Sequence, residues 1–317
     1  MSTSIQHWRL TLRAQPALRL DLRALTPTAL AGLDAATISG ITLHHGNEAV
    51  TVGDFFTVSS ETDATPDECV NAPSLSLIGD LRRVDRIGWQ MDGGCLRVIG
   101  HVGDYLACGM KSGRLQVDGD ARDFVAAELS GGHVQIDGKV GDFAAASLPG
   151  SMDGMRGGQL SIAGDAGDRL GDRMRRGTVW VGGRAGDYLA SRLVAGTLAI
   201  AGEVGAYPAY GMRRGTLLLL GAHAPIASTF VETRHDYRVY WTLLRRHLAS
   251  AGGRFATLPG ALPMRFVGDL AADGQGEVLC IGGSEQRLTD VQQFLDDSPR
   301  TPHRSGHHDQ DLSFPHG

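Results

Sequence analysis

Cysteine is scarce and badly placed for chemistry. Cys69, Cys95, Cys108 and Cys280 are the only four in 317 residues, and none stands in CxxC spacing. That argues against an iron–sulfur or structural zinc motif and favours a reduced set of small hydrophobes. There is no excess of positive charge. Thirty Lys and Arg face 35 Asp and Glu, for a formal charge of −5, which disfavours non-specific nucleic-acid binding. No apolar run reaches the length of a membrane span. The first residues, MSTSIQHWRLTLRAQ, lack a charged segment followed by an apolar one, so a cytoplasmic protein without a signal peptide is expected. Aromatics make up only 6%. Glycine is what the chain has in excess: 44 residues, about twice ordinary usage and without a Gly-X-Y period.

The glycines punctuate a repeat. From Gly94 the chain reads GCLRVIGHVGDYLACGMKS, GRLQVDGDARDFVAAELSG and GHVQIDGKVGDF. After an interruption it continues GQLSIAGDAGDRLGDRMRR, GTVWVGGRAGDYLASRLVA, GTLAIAGEVGAYPAYGMRR and GTLLLLG. Units start at Gly94, Gly113, Gly132, Gly158, Gly177, Gly196 and Gly215, with spacings of 19, 19, 26, 19, 19 and 19 residues. A fixed period of about 20 is the mark of a solenoid.

In register, Leu96, Leu115, Val134, Leu160, Val179, Leu198 and Leu217 form one apolar rung. Val98, Val117, Ile136, Ile162, Val181, Ile200 and Leu219 form a second, two residues on. A spacing of two puts both on one strand face. The residue between them varies, as an outward position does. Gly-Asp corners follow, with Arg122-Asp123 and Gly205-Ala206 as variants. Next comes an aromatic ladder (Tyr105, Phe124, Phe143, Tyr188, Tyr207) broken by Arg169, then a ladder of small residues. Met110, Leu129, Leu148, Met174, Leu193 and Met212 complete the unit. Short strands with Gly corners and no helical stretch predict an all-β chain, a parallel β-helix of about seven 19-residue coils. The leucine-rich repeat signature is absent.

The flanks differ. Residues 1–73 read as a β-rich N-terminal cap. Strands are predicted on either side of a short helix or loop at 26–38, with Thr26 as its N-cap. Residues 74–221 form the solenoid. Residues 222–283 hold a helix from near Val231, with Val239, Leu243, Leu244 and His247 on one face, and then an extended segment. The helix is expected to cover the C-terminal end of the solenoid. Residues 284–317 are polar, with an expectation of disorder.

Candidate functional residues are few. The Asp ladder (Asp104, Asp123, Asp142, Asp168, Asp187) reads as a set of caps on the amides of each residue's own turn. Matches to GxGxxG open no helix and carry no dinucleotide reading. Tail histidines His303, His307, His308 and His316 have only adventitious metal affinity. The departures from period carry more. An insertion at 148–157 (LPGSMDGMRG) interrupts the third unit, and such insertions cluster on binding faces. Arg175-Arg176 and Arg213-Arg214 fall at matching corners, with Lys111. A solvated face is the bland reading. The sharper one is contact with a partner protein through Met152, Met155, Arg156, Arg175, Arg176, Arg213 and Arg214, since Arg is enriched in interfaces. No catalytic, cofactor-binding or metal-binding residue is identified.

The repeat GG-x-[LV]-x-[VI]-x-G-x-x-G-D, with GNEAVTVGDFFTV before it and VGDLAADGQGEVLCIGG after it, resembles the C subunit of formylmethanofuran dehydrogenase. It also resembles the related C subunit of the bacterial formyltransferase/hydrolase complex. Similarity runs over roughly residues 8–283. The repeat alone also looks like the C-terminal β-helical domain of the glutamate synthase large subunit. The resemblance implies a right-handed parallel β-helix serving as a non-catalytic scaffold subunit. Its partners would be the A, B and D subunits, in one-carbon metabolism linked to tetrahydromethanopterin and methanofuran. It also implies that methanofuran and metal ions sit on partner subunits. A tungsten or molybdenum dehydrogenase remains open beside the hydrolytic complex. So does an autonomous enzyme such as a polysaccharide lyase.

Overall fold

The computed structural model describes residues 7–60 and 72–281. The unit Gly283–Gly317 lies outside them, and with it the predicted disordered tail and its histidines. The described residues are mostly β, with few helices. They form a 13-stranded sheet and a smaller 4-stranded one.

The N-terminal part contains β1 (His7–Leu12), β2 (Leu20–Asp21), α1 (Ala35–Ser39), β3 (Thr42–His45), β4 (Glu48–Thr51), α2 (Val52–Phe55) and β5 (Phe56–Ser60). The helix expected over 26–38 is only five residues long. Gly32 adopts φ +81° and breaks the segment, and the N-cap is Asp34, whose carboxylate accepts from the Thr37 amide at 2.7 Å. Strand β1 pairs in parallel with β6 (Ser74–Ile78) and antiparallel with β5. The lead-in therefore extends the large sheet. Strands β2, β3 and β4 join β7 (Val84–Asp85) in the small sheet.

The repeats supply one strand each: β8 (Asp92–Ile99), β9 (Ser112–Val117), β10 (His133–Ile136), β11 (Arg156–Ile162), β12 (Arg176–Val181), β13 (Thr197–Ile200) and β14 (Thr216–Leu219). All pair in parallel, unit to unit. Leu96 faces Leu115, which faces Val134 and then Leu160, as the predicted rungs require. A second parallel ladder runs through Leu81, Val102, Ala121, Val140, Ala166, Ala185, Val204 and His223. The two apolar rungs of every unit are buried in one continuous core. The small-residue ladder is buried too, and its backbone is left-handed: Ala107, Ala126, Ala145, Ala190 and Ala209 have φ of 53°, 52°, 55°, 55° and 61°. A side chain there is confined by the core and by a conformation that L-residues disfavour.

After β14 come β15 (Val231–Thr233), α3 (Arg238–Ala249), β16 (Met264–Gly268) and β17 (Gly276–Cys280). Strand β17 continues the parallel array beside β14, and β16 and β15 add antiparallel strands beyond it. These strands, not the helix, extend the end of the sheet. Helix α3 lies against the outer face. Its buried residues are Trp241, Leu244 and Leu248, packed with Trp180, Ala199, Leu218 and Leu279. The expected face fails at Val239 and Leu243, which are 77% and 58% exposed. The reason lies in the strands. The outward position is polar in early units (Arg97, Gln116, Gln135) but apolar in late ones (Trp180, Ala199, Leu218), which leaves an apolar strip for a helix to cover.

The expectation of four reduced thiols fails at Cys95, which is disulfide-bonded. Cys108 is a free, buried thiol, and Cys280 is buried. Burial, helped by the nearby Glu128 charge, pushes the Cys108 thiol up to about 12. Since the thiolate is the nucleophile, Cys108 is expected to remain unmodified by iodoacetamide in the native chain and to react fully in denaturant. Site-resolved mass spectrometry checks this. Rapid native alkylation would show that the small-residue corner opens.

Candidate interaction site

The insertion sits where the period predicts, with one shift. In regular units a buried Met or Leu stands three residues after the small residue: Met110 after Ala107, Leu129 after Ala126. In the third unit the rung after Ala145 is filled by Met155, which is fully buried and whose amide donates to the Ala145 carbonyl at 3.0 Å. Leu148, assigned to that rung from sequence, belongs to the loop. A Cβ on Gly177 would meet Met155 Cε at 2.6 Å, as one on Gly132 would meet Met110 Cε at 2.7 Å. Met155 is therefore a core residue, not a partner contact. Met152, by contrast, is 71% exposed at the loop tip, with its sulfur accepting from Arg173 Nη1 at 2.9 Å.

The next corner after this rung carries the arginines. Parallel pairing sets Arg156 opposite Arg176. The following unit places Val194-Ala195 at the same corner, and the one after it Arg213-Arg214. These five arginines, with Val194 and Ala195, line an open cleft of ≈ 610 Å³. Arg156 pairs with Glu128 at 3.3 Å, and Arg175 pairs with Asp153 of the insertion. Lys111, at the matching corner of an earlier unit, does not line the cleft. A second cleft, ≈ 370 Å³, is lined by the insertion's Leu148 and Met152 together with Phe143 and Arg173.

The Asp ladder is structural, with a correction. Each carboxylate caps the next unit, not its own turn. Asp85 Oδ1 accepts from the Asp104 amide at 2.8 Å, Asp123 from Asp142 at 3.0 Å, Asp142 from Asp168 at 2.8 Å, Asp168 from Asp187 at 2.8 Å and Asp187 from Ala206 at 2.7 Å. Glycine before the Asp leaves room, for a Cβ on Gly141 would lie 2.1 Å from Asp123 Oδ1. Arg122 replaces that glycine. There the cap lengthens to 3.3 Å, and the Arg122 Nε donates to the same Asp104 oxygen at 3.0 Å. The ladder ends at Ala206, whose counterpart 19 residues on is Pro225. Proline has no N–H, so a carboxylate at 206 would have no amide to cap.

The break in the aromatic ladder is also filled. Tyr105, Phe124 and Phe143 stack at 5.1 and 5.0 Å. The Arg169 guanidinium continues the stack, 5.9 Å from Phe143 and 4.8 Å from Tyr188. Cationic stacking replaces a ring–ring contact without interrupting the column. Among the described residues, no three His, Cys, Asp or Glu side chains converge to hold a metal ion. No helix there is long and apolar enough to cross a membrane.

The sequence matches the family model of the GXGXG motif over residues 96–236. It is 35% identical over 100 residues to the C subunit of the tungsten-containing formylmethanofuran dehydrogenase 2 of Methanothermobacter wolfeii, covering 32% of this chain and 36% of that protein. It is 39% identical over 97 residues to the C subunit of the formyltransferase/hydrolase complex Fhc of Methylorubrum extorquens, covering 31% of this chain and 33% of that protein. The alignments thus span about a third of the length of these curated relatives. The structural match is longer. A chain in the crystal structure of the formyltransferase/hydrolase complex (FhcABCD) from Methylorubrum extorquens, in complex with methylofuran, superposes with a TM-score of 0.78 at 36% identity, over 87% of this chain and 100% of that one. Carried by that match over a whole homologous chain, this protein belongs to the family formed by the C subunit of formylmethanofuran dehydrogenase and the C subunit of the formyltransferase/hydrolase complex.

Proposed function

We propose that the chain is the non-catalytic scaffold subunit of a cytoplasmic formyltransferase/hydrolase complex, assembled with A, B and D subunits. The full-length structural likeness to a chain of such a complex carries this reading. In it, residues 74–221 form a right-handed parallel β-helix, residues 1–73 cap one end, and residues 222–283 cover one face and extend the other end. Parallel pairing at one strand per unit, with a second parallel bridge in each unit, supports the helix. The engagement of the ladder carboxylates as amide caps supports a structural role for the repeat. Methanofuran and metal ions are assigned to partner subunits and none to this chain. The complex would serve one-carbon metabolism linked to tetrahydromethanopterin.

Affinity purification of the tagged full-length chain from its own cells tests this. Three further subunits are expected in constant ratio, and recovery of the chain alone would overturn the reading. The likeness to tungsten-containing relatives supports a second reading, the C subunit of a redox formylmethanofuran dehydrogenase. Elemental analysis decides between them: tungsten or molybdenum in the purified complex selects the dehydrogenase.

A further inference from the structure

The arginine cleft has a charge that the described residues do not balance. Arg97, Arg122 and Arg192 in the same repeats each pair with a carboxylate of the chain. In the cleft, Arg156 and Arg175 are likewise paired. Arg176, Arg213 and Arg214 have no carboxylate partner among the described residues, and all three are exposed. This is not a by-product of a basic chain, since the formal charge is −5. Like charges gathered in one concavity raise the local potential and lower the compact state's stability until counter-charge arrives.

The geometry restricts what that counter-charge is. Stacked strands lie about 4.8 Å apart, so Arg175-Arg176 and Arg213-Arg214, two units apart, are separated by about 10 Å along the stack. Between them Val194-Ala195 supply an apolar floor. An isolated phosphate-sized anion meets one pair at a time. A chain bearing several carboxylates spans both, laying its methylenes on the floor. Guanidinium suits this task because its planar fork accepts a carboxylate in two parallel bonds. Asp153 of the insertion already places one carboxylate on Arg175 at the cleft's mouth, showing the contact this corner makes.

We propose that the cleft is the receptor for an acidic peptide segment of a partner subunit, held by Arg176, Arg213 and Arg214. The proposal rests on the scaffold reading for its partner. Electrostatic steering into the open cleft would then speed assembly and make it salt-dependent.

The test uses the full-length chain, the variant Arg176→Glu/Arg213→Glu/Arg214→Glu, and a control of equal charge change, Arg184→Glu/Arg234→Glu/Arg246→Glu. Arg→Gln at the three cleft positions gives a milder second variant. Thermal melts verify folding. Each is titrated with deca-aspartate and with inorganic pyrophosphate at low and high salt, and then with the partner subunits. Deca-aspartate is expected to bind the wild type and the control alike, and the cleft variant at least about tenfold more weakly, the scale of one lost charge-assisted pair. Assembly with the subunits should weaken by a similar factor. Equal deca-aspartate binding by both triple variants overturns the proposal. So does pyrophosphate binding as tight as deca-aspartate, which marks a small-anion site. Unchanged assembly of the cleft variant overturns it while leaving the scaffold reading standing. Failure of the wild type to assemble overturns the scaffold reading and the partner assigned to the cleft with it.

Discussion

Gly100→Ala is expected to prevent the native chain from forming, at a cost on the order of 4 kcal/mol or more, the range reserved for changes the surroundings cannot absorb. Gly100 has φ +139°, and a Cβ built there would stand 1.9 Å from the Gly79 carbonyl oxygen and 2.9 Å from its carbon. Both atoms are backbone of the preceding unit, so no rotamer change relieves them. Nor can the units spread locally, because the Gly79 amide donates to the Ile99 carbonyl at 3.1 Å. The same corner recurs at Gly119, where a Cβ would lie 2.5 Å from the Gly100 oxygen. Gly150→Ala in the insertion is the matched control. It too has positive φ, +85°, but nothing lies within 4 Å of its Cβ position, so only the left-handed backbone cost of about 1–2 kcal/mol applies. Urea denaturation of both variants checks this. A Gly100→Ala chain within about 1 kcal/mol of the wild type would show that the corners have room for a side chain.

Trp241→Ala should cost about 3–5 kcal/mol, the range for removing a large buried ring, and the loss should be local. Trp241 is 1% exposed between α3 and the outer face of the sheet. Its indole N–H donates to the Pro259 carbonyl at 3.1 Å, tying the helix to the segment behind it. Around it stand Trp180, Leu218 and Leu279, and Trp180 meets the His247 ring at 5.7 Å. Deleting the indole removes the centre of this cluster but no residue of the main core. Hydrogen exchange is expected to show lost protection in α3 and residues 253–257, with β8 to β11 unchanged. Uniform loss across the repeats would refute the separate docking of α3.

Much of the inner architecture is legible in the sequence because it is local and repeated. Leu115, Val134 and Leu160 meet nearly the same surroundings in successive units, so a rule inferred from one unit holds for the next. Legibility ends where a residue answers to something outside its own unit. Leu148 and Met155 are both plausible rungs by composition, and only closure of the loop shows Met155 in the core and Leu148 outside. The Asp ladder does cap amides, but each capped amide belongs to the next unit, which spacing within one unit does not reveal. Periodicity misplaces the helix face because it favours Val239 and Leu243 over Trp241. The usable signal lies elsewhere in the chain, in the change from Arg97 and Gln116 to Trp180, Ala199 and Leu218 at the outward position.

From sequence alone came the period, the glycine corners, the two inward rungs, the strand-rich composition and the place of the insertion. These depend on steric rules that act over a few residues and on an alternation that any strand obeys. Tertiary structure decided which residues of the insertion face solvent, which face of α3 is buried, and that Arg156, Arg175, Arg176, Arg213 and Arg214 share one cleft. Those outcomes depend on stacking, which brings residues 19 or more positions apart to within a few ångströms. Only there can burial choose between equally apolar side chains, and only there do separate arginines become a single site.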